Sequence, residues 1–175
     1  MSYADRRCES LPADENARAV LRHMLATLAY RSAKVLRDTP PDFGARTFGA
    51  ATRQPTRIVA HMADLMAWGV TLARGEYTWR AGGGDDWKVE VDRFFDQLAA
   101  LDRALESLAP GAVEPVIQGP LADALTHVGQ LAMLRGMAGL PVRPESYARA
   151  EIVVGRTSWE QAPPKREFDG DASAR

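Results

Sequence analysis

Apolar side chains recur at the 3.6-residue period of an amphipathic helix in four separate blocks of the chain. The first block covers residues 14–38, with Asp14 suited to be its N-cap and Pro40 ending it, because a residue before proline avoids the α region. The second opens at Pro55, where the missing N–H costs nothing, and ends with Gly75 as C-cap. The apolar faces of these two blocks consist of Val20, Leu21, Met24, Leu25, Leu28, Val35 and Leu36, and of Ile58, Val59, Met62, Leu65, Met66 and Leu72.

The third and fourth blocks have the same period. The third begins at Asp85 or Asp86, either of which can cap a helix. A short extended piece over residues 112–117 is predicted to lead to Pro120, which starts the fourth block, and that block runs to Gly139. The buried faces are predicted to contain Trp87, Val91, Phe94, Phe95, Leu98, Leu101, Leu105 and Leu108, and then Leu131, Met133, Leu134 and Met137, with the helical methionines as core residues.

Four long helices with almost no alternating strand signal predict an all-α fold, a four-helix bundle. We expect one bundle domain over residues 14–155, after a flexible N-terminal segment (1–13) and before a Pro-rich polar tail (156–175). Residues 145–152 predict a short extra C-terminal helix or extension. The last several residues are predicted to be disordered.

Three consecutive glycines, Gly82, Gly83 and Gly84, precede the third block. No Lys-Ser/Thr follows them and no strand precedes them, so they do not form a phosphate-binding loop. We expect a flexible connector here.

The composition is that of an ordinary soluble domain of 175 residues, 46% hydrophobic and 26% charged, with a formal net charge of −1. Acidic and basic residues alternate, so no basic surface favours nucleic acid as a partner. No apolar run reaches the roughly 18 residues of a membrane-spanning helix, and no signal peptide is evident, so we expect no membrane partner and a cytoplasmic location. The single Cys8 excludes an intramolecular disulfide and a cysteine-based zinc cluster, and we expect it to be inert.

His61 is the first residue that suggests a chemical role. It lies between Ile58 and Leu65 on the second helix, so it points toward the bundle interior. An inward histidine is either a core group with one hydrogen bond or a metal ligand.

A second inward polar pair occurs on the fourth helix. Asp123 and His127 are four residues apart, which places them on one helix face about 6 Å apart. Asp123 is either a ligand or a helix-start residue favoured by the macrodipole. Gln130 could orient the imidazole of His127 or a bound water. If the two helices pack together, His61, Asp123 and His127 form a two-histidine, one-carboxylate site suited to zinc, nickel, iron or manganese, with open positions for water or substrate.

Four further residues each have two possible roles. His23 is a boundary residue or an additional ligand, and Tyr30 serves packing or reaches the pocket mouth. Trp68, on the same face as His61, is a core group or lies beside the site. Arg135, eight residues after His127, forms a salt bridge or binds an anionic group of a substrate.

These residues carry a resemblance to a known family. Residues 58–68 (IVAHMADLMAW) and 127–135 (HVGQLAMLR), with LAYR in the first helix, resemble the DinB-like superfamily over roughly residues 14–155. The resemblance implies an up-down-down-up bundle and a divalent metal held by three histidines, one in the second helix and an H-x-x-x-H pair in the fourth. His61 and His127 match the first and last ligands, but the middle position is Asp123. A carboxylate there could weaken zinc or nickel binding, favour iron or manganese, or mark a member that has lost the metal.

Two functional hypotheses follow. Relatives include metal-dependent thiol transferases and maleylpyruvate isomerase-like enzymes, so the resemblance implies a metal-dependent transferase or hydrolase that activates a water or a low-molecular-weight thiol for a small-molecule substrate. The alternative is a non-catalytic bundle, open to homodimer formation, that binds a small ligand or partner while Asp123 and His127 form a simple ion pair. A fold resemblance alone is a weak basis for choosing between them.

Overall fold

The computed structural model describes residues 11–168, and within that range the chain forms helices and loops without a β-strand. Three predictions lie outside the described residues: that Cys8 is inert, that the N-terminal segment is flexible over most of its length, and that residues 169–175 are disordered. No helix in the described range has both the length and the apolar character needed to cross a membrane.

Four long helices form the body of the molecule, consistent with the predicted helical bundle. They are α1 (Glu15–Leu36), α2 (Pro55–Ala73), α3 (Trp87–Ala104) and α5 (Ala122–Met137), and a single-turn helix, α4 (Val113–Val116), precedes α5. α2 packs on α3 and α5, and α1 packs on the same two helices. Their apolar faces form a continuous core whose fully buried members include Leu25, Leu28, Met62, Met66, Phe94, Leu98 and Leu101.

The helix ends follow from local chemistry. The Asp14 carboxylate accepts a hydrogen bond from the Ala17 N–H at 2.8 Å, and Asp86 accepts one from Val89 at 2.9 Å, so both predicted caps are present. Gly75 has a φ of +80° just past α2, a conformation that glycine adopts without strain. The α1 helix ends at Leu36, before the two prolines, and Arg37 is already in an extended conformation.

Three apolar residues expected on buried faces are exposed instead. Val20, Met133 and Met137 leave 57%, 60% and 60% of their surface accessible. Each lies on the outer side of its helix, because only one stripe of a bundle helix faces the core. The prediction that the helical methionines are core residues is therefore correct for Met62 and Met66 but wrong for the two on α5.

The predicted extended piece at residues 112–117 is also wrong, because this segment is mainly helical. The chain passes from α4 through one π turn (Ile117–Leu121) directly into α5, with Pro120 inside the turn. Proline disrupts regular α-helical hydrogen bonding, and a π turn accommodates an irregular register. The extra residue of the π turn shifts the apolar period, and this shift hides the helix from a pattern search.

The glycine connector is fastened to the helices, contrary to the predicted flexible link. The Gly82 N–H donates to Asp64 Oδ1 at 3.1 Å, and the Gly84 N–H donates to Glu90 Oε1 at 2.6 Å. Arg93 donates to the same two carboxylates at 2.6 and 2.7 Å. Asp64 and Glu90 are buried, and buried carboxylates need hydrogen-bond partners. Here one guanidinium and two backbone amides supply them.

The chain after α5 is held by one buried carboxylate, Glu145. It accepts hydrogen bonds from Tyr30 Oη and Lys34 Nζ, each at 2.8 Å, and Lys34 also donates to Glu167 at 2.7 Å. Glu145 and Glu167 form an isolated antiparallel bridge. The expected extra C-terminal helix is only a 3₁₀ turn, Tyr147–Arg149. Glu145 and Glu167, on either side of it, both contact α1 through Lys34.

A glycine pair offers a test of how closely α2 meets the π turn. A Cβ on Gly119 would lie 2.6 Å from the Trp68 ring, whereas a Cβ on Gly129 of α5 would meet open space. We expect Gly119→Ala to lower the free energy of unfolding by about 1–3 kcal/mol through overpacking. Gly129→Ala should raise it by up to about 1 kcal/mol through helix propensity. Urea denaturation measures both, and equal stabilisation by the two changes would contradict the close approach.

The Glu145 cluster predicts a pH-dependent stability. Burial acts to raise the pKa of Glu145, but the hydrogen bonds from Lys34 and Tyr30 outweigh it and leave that pKa below its ordinary value. The carboxylate therefore adds stability above the unfolded pKa of about 4.3, and this stability is lost as the pH falls through the lower folded pKa. Glu145→Gln should cost about 1–3 kcal/mol at neutral pH, with a gap to wild type that closes in acid. Denaturant titrations across pH check this, and a pH-independent gap would contradict it.

Candidate metal centre

The structure brings His61, Asp123 and His127 together between α2 and α5. Asp123 Oδ2 lies 3.3 Å from His61 Nε2, and Asp123 Oδ1 lies 3.3 Å from His127 Nε2. The two imidazole rings meet edge to face, with centroids 5.0 Å apart. One donor atom from each residue fits within a group whose members are all within 4.8 Å of one another.

Local sequence explains why these side chains converge. His61 lies on α2 between Ile58 and Leu65, which are 2% and 3% exposed, so the helix presents it at the edge of the core. Asp123 and His127 are one helical turn apart on α5. The helical backbone continues before Asp123 through the π turn and α4, so the helix-start reading of this carboxylate has little support.

Gln130 lies against the ring nitrogen of His127 that faces away from Asp123. Its Oε1 lies 2.8 Å from Nδ1 of His127, and an amide oxygen is only an acceptor, so with the amide in this orientation Nδ1 carries the proton. In a neutral ring, Nε2 then carries a lone pair instead of a proton. Metal-binding histidines are commonly held this way, by a hydrogen bond from the nitrogen that does not bind the ion.

The resulting arrangement requires a positive charge. The Nε2 lone pair of a neutral His127 faces a carboxylate oxygen at 3.3 Å, and two acceptors at that distance repel each other. Either a proton on Nε2 or a metal ion near the three donors removes this repulsion.

The three donors could together hold a metal ion. Two donors about 2.1 Å from one tetrahedral ion lie about 3.4 Å apart. Each histidine Nε2 lies 3.3 Å from a different oxygen of Asp123, and one donor atom from each of the three residues lies within 4.8 Å of the other two. Two imidazole nitrogens and one carboxylate oxygen are ligands accepted by zinc, nickel, iron and manganese. Three protein ligands leave at least one coordination position open.

A cavity of about 540 Å³ opens beside the three residues. It combines the polar groups of the site with an apolar wall, and its size suits a small metabolite. Its lining comprises Ala51, Thr52, Arg53, Ile58, His61, Asp123, His127, Gln130, Met133 and Leu134.

The sequence did not indicate two contributors to this region. The ring of Trp79, in the connector after α2, has its centroid 5.7 Å from the His61 ring, at a tilt of 60°, and 5.7 Å from the Trp68 ring, which it meets edge to face. Arg53 and its neighbours come from the loop before α2. Loop residues have no periodicity, so only the fold reveals which of them reach the site. Trp68 thus lies beside the centre through Trp79, without lining the cavity.

Three other sequence-selected residues lie elsewhere. Tyr30 is committed to Glu145, and His23 is exposed on α1. Arg135 donates to the backbone carbonyls of Val35, Arg37 and Leu140 at 2.7–3.0 Å, so it secures the end of α1, and within residues 11–168 it does not form the expected salt bridge. Arg135 is eight residues after His127, but its long side chain extends to the end of α1 and not to the cavity.

Comparisons with protein-family models, curated proteins and solved structures found no match to this chain. The site is therefore interpreted from its own geometry.

The role of Gln130 can be tested directly on the ring of His127. In metal-free protein at alkaline pH, we expect the nitrogen chemical shifts of His127 to report the Nδ1–H tautomer, which is the minor form of free histidine. Gln130→Leu removes the acceptor and should move the ring toward Nε2–H. Heteronuclear NMR of nitrogen-labelled protein measures both forms. His23 is the internal control, and an unchanged His127 tautomer in the variant would contradict the assignment.

Proposed function

We propose that His61, Asp123 and His127 hold one divalent metal ion and that the protein is a metal-dependent enzyme acting on a small molecule in the adjacent cavity. The observation that carries the proposal is the orientation of His127. Its Nδ1–H is engaged by Gln130, so its Nε2 lone pair points at the Asp123 carboxylate and the site calls for a cation. The open side of the three residues faces a cavity large enough for a substrate.

A metal ion held by these residues would supply Lewis acidity, which lowers the pKa of a water or a low-molecular-weight thiol and favours a transferase or hydrolase reaction. The chain's own residues have defined parts in this proposal. Gln130 keeps His127 in the binding tautomer, and Asp123 contributes the one negative charge of the ligand set. Ile58 and Leu134 offer apolar surface to the body of a substrate.

The proposal extends to the fold family, as a DinB-like bundle with an up-down-down-up arrangement. Parallel α2 and α3 are supported by an ion pair between Arg57 and Asp85 near their starts and by the Ala109–Ala73 backbone hydrogen bond at their ends. An opposite direction for α1 and α3 is supported by Arg22, near the start of α1, which bonds Asp102, near the end of α3.

Contacts of α5 support the same arrangement. Arg135, near the end of α5, bonds the carbonyl of Val35 at the end of α1, as parallel helices require. Gly69, late in α2, lies against Pro120, which precedes α5, as antiparallel helices require. The departure from three histidines at Asp123 adds a negative charge to the ligand set and favours harder metals such as iron or manganese.

A second function has one observation in its favour. The Asp123 side chain is 45% exposed and lies 3.3 Å from both histidines, a geometry that a proton on each Nε2 would also satisfy. In that case the bundle is non-catalytic and the metal site is degenerate. The exposed methionines Met133 and Met137, one turn apart on α5, would then be available to a partner or a second copy.

Metal content distinguishes the two functions. We expect elemental analysis of the purified, untagged protein to give about one divalent ion per chain, directly or after reconstitution with zinc, nickel, iron or manganese. His127→Ala, His61→Ala and Asp123→Ala should each weaken binding by at least about tenfold, because each removes a direct ligand. His23→Ala is the matched control, since it removes an exposed histidine away from the site and should retain the metal.

Thermal unfolding gives an independent measure. Added metal should stabilise the wild type, since a ligand that binds only the folded state raises apparent stability by about 2.7 kcal/mol at a hundredfold excess over Kd. Asp123→Ala should lose this stabilisation. A wild type that neither retains nor is stabilised by any of the four metals would refute the proposal and favour the non-catalytic bundle.

A further inference from the structure

Arg53 is the one cationic side chain among the described residues that line the cavity of the proposed metal centre. It lies in the loop before α2, and within residues 11–168 it has no carboxylate partner. The neighbouring arginines have carboxylate partners: Arg46 pairs with Asp42, and Arg57 pairs with Asp85. Arg53 is exposed at the cavity, and without a carboxylate partner its charge is available to a ligand.

The charge of the cavity favours an anion. Asp123 is the one carboxylate among its described lining residues, and the proposed divalent ion would more than neutralise it. Arg53 then adds a further positive charge with nothing in the lining to balance it. This step rests on the proposed function, because without the ion Asp123 and Arg53 would balance each other.

The kind of anion follows from the number of donors. Arg53 presents a planar fork that matches the two oxygens of a carboxylate, and Thr52 is the polar residue next to it in the lining. A phosphate has three acceptor oxygens and nearly two charges, so it calls for more donors than these two residues supply. Ile58, Met133 and Leu134 make the rest of the wall apolar.

We propose that the substrate of this site is a small carboxylate with an apolar body, whose carboxylate is bound by Arg53 while its reacting group faces His61, Asp123 and His127. Arg53 is then a substrate-binding and specificity-determining residue that contributes no ligand to the metal. The cavity volume of about 540 Å³ accommodates such a molecule.

The probe for this inference is hexanoate, with 1-hexanol and hexyl phosphate as probes of equal chain length. Binding of each is measured by calorimetry and ligand-observed NMR to zinc-loaded and metal-free full-length protein. The variants are Arg53→Met, which keeps the stem and removes the charge, and Arg57→Met as the matched control on the next turn. Arg57 is exposed and paired with Asp85 outside the cavity, so its loss should not affect binding.

We expect hexanoate to bind the loaded wild type more tightly than either other probe, and Arg53→Met to weaken hexanoate about tenfold while leaving hexanol unchanged. Arg57→Met should match wild type, and the metal content of Arg53→Met should be unaltered. A preference for hexyl phosphate, equal hexanoate binding by wild type and Arg53→Met, or no hexanoate binding up to about 10 mM would each overturn the inference.

The two proposals fail in distinguishable ways. If the protein binds no metal but hexanoate binding still depends on Arg53, the metal-dependent function is wrong and Arg53 remains a carboxylate-binding residue. If metal binds with the expected ligand dependence but hexanoate is insensitive to Arg53→Met, the metal centre stands and the substrate assignment is wrong.

Discussion

A single carboxylate between two imidazole rings is the interaction around which the candidate site is organised. Asp123 uses one oxygen toward each histidine, and the Gln130 amide oxygen lies against the nitrogen of His127 that faces away, where it favours the proton. With the proton of His127 on Nδ1, its Nε2 lone pair faces a carboxylate oxygen of Asp123, and a cation between them would remove the repulsion. The proposed roles of the cavity and of Arg53 at its wall both depend on a cation being bound there.

The separation between the two helices that carry these ligands depends on small residues. Gly119, in the π turn before α5, lies against the Trp68 ring, and Gly69 of α2 lies against Pro120. A Cβ at Gly119 would lie 2.6 Å from the Trp68 ring, so a side chain there would disturb the approach of α2 to the π turn that leads to Asp123. The π turn also fixes the rotation of α5, since one extra residue turns a helix by about 100°. Packing and site geometry are therefore set by the same few contacts.

Polar networks outside the site serve a different purpose. Arg93 gathers two buried carboxylates and the glycine connector, and Arg135 satisfies carbonyls at the end of α1. Glu145 attaches the C-terminal part of the described chain to α1. These groups have their partners within the fold, so they stabilise loops and leave no capacity for a ligand. Arg53 differs because its position at the cavity gives it no such partner among the described residues.

The sequence by itself determined the helical blocks, their capping residues and the inward faces that carry His61, Asp123 and His127, because these depend on period and on short-range hydrogen bonds. The helix across residues 113–121 could not be predicted, since a π turn breaks the period. Nor could the roles of Arg135 and Arg53 be predicted, because the reach of a long side chain and the course of a loop depend on which helices become neighbours. Tertiary structure alone decided those contacts, and with them which polar residues are satisfied internally and which face the cavity.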